Sequence, residues 1–492
     1  VQHRDATARR ALVLLSAALV VLTAYRLAAR AAVAPELHFD EAQYFAWSLE
    51  PAFGYFSKPP LVAWAIAAAR AVCGGGESCI RAPSVVAFTV AVLAVFALGR
   101  RLFDARTGLA AALLLLLAPI TSLLTWFVTT DSLLIAAWAL ALCAFVRALD
   151  CGALRWWIAC GAAAGAGLLS KYTMGIFAIG AAGYLLTSAR HRRLLATPGP
   201  WLGAATAAAL FAPNVAWNVA HDFATVGHTA EISQLGVATA SALRALRFLA
   251  EQLAVFGPLS FVAFAFGLAA ARRGDWRDAL LAWFALPFLA LICAQAFAAR
   301  AHANWAAPTY VAASVIAARW LLARTSRRWL AAALAINAAF MLVVYHYRPL
   351  AALAGVTLPV RADPLRQLEG WADLGRRVDG VLQRYGARLL AEDRRLMSWM
   401  IYYGGPRARD ALAWNPGRRI DNHYRLLRDV ERAPHGPFVF VSGVDREREL
   451  RSQFASVQPL GVLQAEGCGA DCERRLHAYL LGDFLGYPTR TR

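Results

Sequence analysis

The chain has 492 residues, of which 59% are apolar and 16% charged, with a formal net charge of +19. A soluble protein of this length needs far more polar surface, and uncharged stretches of about 20 apolar residues, each able to cross the hydrocarbon of a bilayer, recur along the sequence. Composition therefore excludes a soluble enzyme. No nucleic-acid partner is expected either, because the charge is mostly arginine on loops and in the C-terminal segment, with no cationic groove interleaved with aromatics.

In chain order, His3-Arg4 and Arg9-Arg10 precede an apolar run over 11–33 with no small-residue cleavage site after it. That predicts a retained first span with its N-terminus inside. Further spans are predicted near 83–99, 108–125, 132–149, 155–169, 172–188, 201–219, 248–270, 278–298, 303–323 and 329–347, about eleven in all. The clusters Arg100-Arg101-Arg106, Arg147 with Arg155, Arg190-Arg192-Arg193, Arg272-Arg273-Arg277 and Arg324-Arg327-Arg328 fall on the side of the N-terminus. The opposite loops carry Asp40, Glu41, Lys58, Asp131, Lys171, Asp222, His228 and His302. This asymmetry sets the orientation of a multi-pass protein of the bacterial inner membrane, and an odd number of spans places the C-terminal segment outside the cytoplasm.

Between the first two spans, 34–82 forms a long outer loop in which 59–72 predicts an interfacial helix. Gly161 and Gly165 suit close helix packing. The segment 349–492 changes character: an amphipathic stretch over Leu365–Tyr385 alternates with short apolar runs such as Phe438-Val439-Phe440-Val441. The expected fold is thus an all-α polytopic membrane domain over 1–348, with outer interfacial helices, followed by a small α/β domain over 349–492 in the periplasm. Cys73 with Cys79, or Cys468 with Cys472, can form short-loop disulfides in an oxidising compartment. No zinc-type cysteine and histidine spacing occurs.

Polar constellations gather on the outer side. In Phe39-Asp40-Glu41-Ala42-Gln43-Tyr44, a carboxylate can take a proton from a hydroxyl or bind a divalent cation; the plainer alternative is a solvated acid at a helix start. In Tyr55-Phe56-Ser57-Lys58-Pro59-Pro60, the prolines hold Lys58 at a helix entrance, where its ammonium can grip a lipid phosphate or simply reach the headgroups. Lys58 and Lys171 are the two lysines among 50 basic residues. Where arginine has taken nearly every interchangeable position, a retained lysine points to a need for a compact ammonium. Asp131, in Thr129-Thr130-Asp131-Ser132, can cap a helix, orient a substrate, or both. Lys171, in Leu169-Ser170-Lys171-Tyr172, can be a phosphate ligand or a headgroup anchor. His221-Asp222, His228, and His302 with Asn304 and Trp305 read as interfacial-belt residues ahead of metal ligands.

Taken together, these strings resemble the membrane-integral C-type glycosyltransferases (GT-C fold), in the branch of the lipid A aminoarabinose transferases and protein O-mannosyltransferases. The resemblance rests on Asp40-Glu41 with Tyr44, Tyr55-Phe56-Ser57-Lys58-Pro59, Thr129-Thr130-Asp131-Ser132, Leu169-Ser170-Lys171-Tyr172 and Asn304-Trp305-Ala306-Ala307-Pro308, in order over 1–347. It implies a polyprenyl-phosphate (undecaprenyl-phosphate) sugar donor and inverting transfer of a single sugar at the outer face to an acceptor hydroxyl or phosphate on lipid A, a glycan, another lipid or a protein. Carried over, Asp40 is the general base beside Glu41, Lys58 and Lys171 are donor-phosphate ligands, and Asp131 orients the acceptor or supports the base. Tyr44, Tyr55, His302, Asn304 and Trp305 are expected to line the substrate site. The family's glutamate before the motif lysine is Ser57 here, a poor anchor for the divalent metal of aminoarabinose transferases. A ligase or polymerase of lipid-linked glycans is the alternative, and a flippase or transporter a further one; the latter class predicts internal repeats and mid-membrane ionisable residues.

Overall fold

The computed structural model describes residues 2–234, 239–271, 275–359, 362–466 and 474–488. Arg272 and Arg273 of one predicted arginine cluster, and the Cys468 and Cys472 pair, lie outside the described residues.

Alanine- and leucine-rich runs form helices that stop where proline, glycine or a capping side chain intervenes. In chain order these are α1 (Gln2–Val33), α2 (Phe39–Leu49), α3 (Leu61–Cys73), α4 (Glu77–Leu102), α5 (Ala105–Leu117), α6 (Pro119–Leu124), α7 (Thr130–Cys151) and α8 (Leu154–Ser170). There follow α9 (Ile176–Thr187), α10 (Pro198–Ala220), α11 (Ala224–Ser233), α12 (Ala242–Phe256), α13 (Pro258–Ala269), α14 (Trp276–Ala298), α15 (Thr309–Arg324) and α16 (Arg327–Leu353). Among the described residues, α1, α4, α7, α14 and α16 are each long and apolar enough to cross a membrane. Every predicted span has helix beneath most of it; those expected as 172–188 and 303–323 open in short 3-10 turns, and two others are broken midway. The stretch expected as 108–125 stops at Leu117 and restarts with Pro119 at the first helical position, where its missing N–H costs nothing. The stretch expected as 248–270 bends by 112° between α12 and α13. Gly257 turns that corner at φ +96°, Pro258 starts the next helix, and Asn337 of α16 donates to the Phe256 carbonyl and Ser260 Oγ across the break. Only glycine holds that backbone conformation without strain, and a side chain there would collide with Asn337.

Contacts divide the chain into two compact units. The first comprises 1–32, 58–65 and 81–353, the helical bundle. Its core runs through Phe88, Val92, Leu142, Phe145, Phe284, Phe288 and Val315. Gly161 of α8 meets Gly203 of α10 backbone to backbone, so the pairing read from glycine spacing is a contact that no larger side chain permits.

The second unit comprises 33–57, 66–80 and 354–492. Its C-terminal part contains α17 (Trp371–Tyr385), β1 (Arg388–Ala391), α18 (Arg394–Tyr403), β2 (Leu412–Ala413), α19 (His423–Leu427), β3 (Phe438–Ser442), α20 (Glu447–Arg451), β4 (Val457–Gln464) and β5 (Arg475–Leu481). The strands form one sheet in the order β2-β1-β3-β5-β4, parallel from β2 to β3 and antiparallel at β5. The run Phe438 to Ser442 is buried at every position, as a central strand covered on both faces requires. The segments 33–57 and 66–80 are built into this unit. Glu36 accepts from the amides of Gly370, Trp371 and Ala372, capping α17, and α18 packs along α2. Tyr403 donates to Glu77, and Cys73 is disulfide-bonded to Cys79.

Candidate functional site

In the bundle, the start of α7, the end of α8 and the 303–306 turn before α15 meet. Thr129 caps α7, its Oγ1 accepting from the Ser132 amide at 3.3 Å. Asp131 is therefore not the cap, and its carboxylate is released for longer-range partners. Oδ1 lies 2.6 Å from Lys171 Nζ, and Oδ2 accepts from Asn304 Nδ2 at 2.9 Å. The pair is largely withdrawn from water, with 9% of the Asp131 side chain and 19% of that of Lys171 exposed. Lys171 Nζ also stands 5.9 Å over the Trp305 ring, and the His302 ring packs 5.2 Å from the same tryptophan. Burial, then the positive charges of Arg300 and Lys171, press the His302 pKa below its ordinary value, so a neutral imidazole is favoured.

Polar side chains hold the cluster from behind. Ser84 Oγ donates to Ser132 Oγ at 2.9 Å, and Ser170 Oγ donates to the Thr130 carbonyl at 2.7 Å, tying α8 to α7 one residue from each charge. Gln252 donates to the Ala303 carbonyl and accepts from Tyr310 at 2.6 Å, fixing the turn that presents Asn304. Tyr172 donates to Asn214 and accepts from Asn218, bracing the chain just after Lys171. Sequence reasoning missed this frame. The available signal was a run of serines, threonines and amides at the ends of otherwise apolar spans, where an unpaired polar group is costly.

The second unit holds Asp40 differently. His38 caps α2, accepting from the Asp40 amide, while Glu41 reaches back to the His38 amide at 3.0 Å in a capping box. Glu41 is 1% exposed, whereas 42% of the Asp40 side chain meets solvent. The Asp40 carboxylate has His38 Nδ1 at 3.8 Å and Arg394 at 3.9 Å, both beyond close hydrogen-bond range. Arg394 itself donates to Gln43 at 2.8 Å. Tyr44 is buried, its ring 5.4 Å from that of Trp47. Tyr55 stacks on Trp47 at 4.5 Å, and its hydroxyl bonds the Trp47 and Glu50 carbonyls and the Ala52 amide. Burial pushes the Tyr55 pKa up to about 12. That hydroxyl secures the turn before Ser57. Lys58 opens the 58–65 segment of the bundle unit, half-buried.

The residues do not compose a divalent-cation site. Glu41 is spent on its cap, position 57 is serine, and among the described residues no three histidine, cysteine or acidic side chains lie together.

Comparison with known proteins agrees with this architecture. The sequence model of the dolichyl-phosphate-mannose-protein mannosyltransferase family matches residues 57–217. The lipid A galacturonosyltransferase RgtD of Rhizobium johnstonii is 30% identical over 380 residues, covering 75% of this chain and 78% of that protein. An undecaprenyl phosphate-alpha-4-amino-4-deoxy-L-arabinose arabinosyl transferase of Pseudomonas aeruginosa is 36% identical over 148 residues, 29% of this chain and 27% of that one. The crystal structure of ArnT from Cupriavidus metallidurans bound to undecaprenyl phosphate superposes with a TM-score of 0.65, covering 95% of this chain and 97% of that one. At 18% identity this last likeness speaks to the fold. Bundle, sheet and relatives define a membrane-integral glycosyltransferase. The chain belongs to the family of the lipid A galacturonosyltransferase RgtD and has the fold seen in ArnT.

Proposed function

We propose that this chain transfers a single sugar from a polyprenyl monophosphate to an acceptor hydroxyl, with inversion, at the outer face of the bacterial inner membrane. The N-terminus is then cytoplasmic, the bundle crosses about eleven times, with short and broken helices completing spans, and the second unit is periplasmic. The Cys73–Cys79 disulfide in that unit supports an oxidising compartment.

The observation that carries the reading is the Asp131–Lys171–Asn304 cluster at one end of the bundle. Lys171 is neutralised there, so its role is to position Asp131 and the turn bearing Asn304 and Trp305, which would orient a sugar. Lys58, just before α3, is the ligand for the donor phosphate. Asp40, exposed and loosely paired, takes the proton of the acceptor hydroxyl as its oxygen attacks the anomeric carbon. The carbon–oxygen bond to phosphate breaks, and its electron pair stays on the departing polyprenyl phosphate. An ammonium at that oxygen stabilises charge that grows only in the transition state. RgtD makes a hexuronosyl donor and a lipid A acceptor the first pair to test.

The test is transfer by purified full-length protein in vesicles supplied with polyprenyl-monophosphate sugars or with a pyrophosphate-linked glycan. Transfer of one sugar from the monophosphate is expected. Transfer only from the pyrophosphate-linked glycan would replace this reading with the ligase.

A further inference from the structure

The bundle carries a charged cavity at the far end of α15 from Asn304. That helix starts beside the 303–306 turn and, over 16 residues, rises about 24 Å to Arg324. There α5, α15 and α16 enclose an open cavity of about 680 Å³. Its apolar wall includes Leu113 and Leu330, and its charged rim is Asp104, Arg106, Arg319 and Arg327.

The rim charges are not equivalent. Asp104 caps α5, accepting from the Thr107 amide at 2.8 Å. Arg319 is neutralised by Asp278 and by Asp275 at 3.3 Å, and its guanidinium lies 4.3 Å over the Phe103 ring. Arg106 and Arg327 are exposed, and among the described residues their side chains have no hydrogen bond or ion pair. The cavity thus presents two uncommitted guanidiniums above an apolar wall between helices. Trp329, 54% exposed, stands two residues beyond Arg327, a side chain suited to the headgroup layer.

We propose that this cavity binds an anionic glycerophospholipid, with its phosphate between Arg106 and Arg327 and an acyl chain along the leucine wall. Planar guanidiniums hold phosphate oxygens in pairs, and basic pockets between membrane helices suit acidic headgroups. A soluble anion would gain nothing from the apolar wall. The lipid would brace α5 against α15, the helix whose other end follows the turn that holds Asn304.

The experiment titrates full-length protein in detergent with phosphatidylglycerol and, separately, phosphatidylcholine, counting retained lipid by native mass spectrometry. Wild type should prefer phosphatidylglycerol. Arg106→Gln with Arg327→Gln should weaken its retention about 30-fold, while Arg192→Gln with Arg193→Gln, outside the cavity, should not. Phosphatidylglycerol should also raise the melting temperature of wild type and not that of the cavity variant, which separates lost binding from a folding defect. Equal retention by the cavity and control variants, no preference for the acidic lipid, or displacement of the lipid by inorganic phosphate would each overturn the proposal.

Discussion

Asp131 and Asp40 both sit at the second position of a helix, and their surroundings could hardly differ more. Asp131 has both carboxylate oxygens engaged, by Lys171 and Asn304, and 9% of its side chain exposed. Asp40 has 42% exposed, with His38 and Arg394 near 4 Å. A carboxylate locked by two donors is a strut that fixes geometry. A carboxylate that meets water and has loose partners can accept a proton from an incoming hydroxyl. Similar local sequence thus serves two roles, and the surrounding partners decide which.

The comparison can be broken at several points. Lys58→Ala should slow transfer about 10²- to 10³-fold, the usual cost of removing one group that stabilises developing negative charge, and Lys58→Arg should restore only part of the rate. Full activity of the arginine variant in a vesicle assay would remove the argument from lysine rarity. Lys171→Met should cost about 3 kcal/mol in detergent unfolding, because it strands the Asp131 charge, and adding Asp131→Asn should recover most of that loss. The same truncation of Arg394 beside Asp40 should cost about 1 kcal/mol or less; similar losses at both sites would erase the distinction. Tyr55→Phe should cost about 1 kcal/mol in unit stability and leave the turnover number unchanged, since its hydroxyl serves the 47–55 backbone. A specific loss of substrate affinity would restore Tyr55 to the binding site.

The smallest effect concerns acid. The Glu466 amide first, then Arg377 and Arg376, hold the Asp373 carboxyl below the usual range. A depressed folded pKa means that the contribution is present above the unfolded value and is lost as pH falls through the folded one. The second unit should therefore weaken below about pH 4, and Asp373→Asn should flatten that limb of an acid titration followed by circular dichroism.

Much of this was legible in the sequence. Apolar length located the helices, and the four-residue run at Phe438 located the central strand. The Asp131 and Lys171 motifs, 40 residues apart, fall at one end of the bundle because α7 and α8 form a hairpin between them. Less legible were features set by partners distant in sequence. The 112° corner depends on Asn337, 80 residues from Gly257. Thr129 and not Asp131 is the cap, and the Asp131 carboxylate meets Lys171 and Asn304 instead. Arg26 and Arg30 lie within the predicted first span, 11–33. They are buried, donating to the Leu116 and Thr125 carbonyls across helix breaks that local pattern does not announce. Segments 33–57 and 66–80 fall in what reads as one outer loop, 34–82, with an interfacial helix over 59–72, yet they supply Glu36 and Glu77 to the C-terminal unit.

The most direct test sets Asp40→Asn against Asp131→Asn in one reconstituted assay that reads donor binding, turnover and thermal stability on the same preparations. Asp40→Asn should bind donor and melt like wild type while turnover falls about 10²- to 10⁴-fold, and Asp131→Asn should lose stability. Wild-type turnover in Asp40→Asn, with the whole catalytic loss falling instead on a stably folded Asp131→Asn, would contradict the assignment of base and strut.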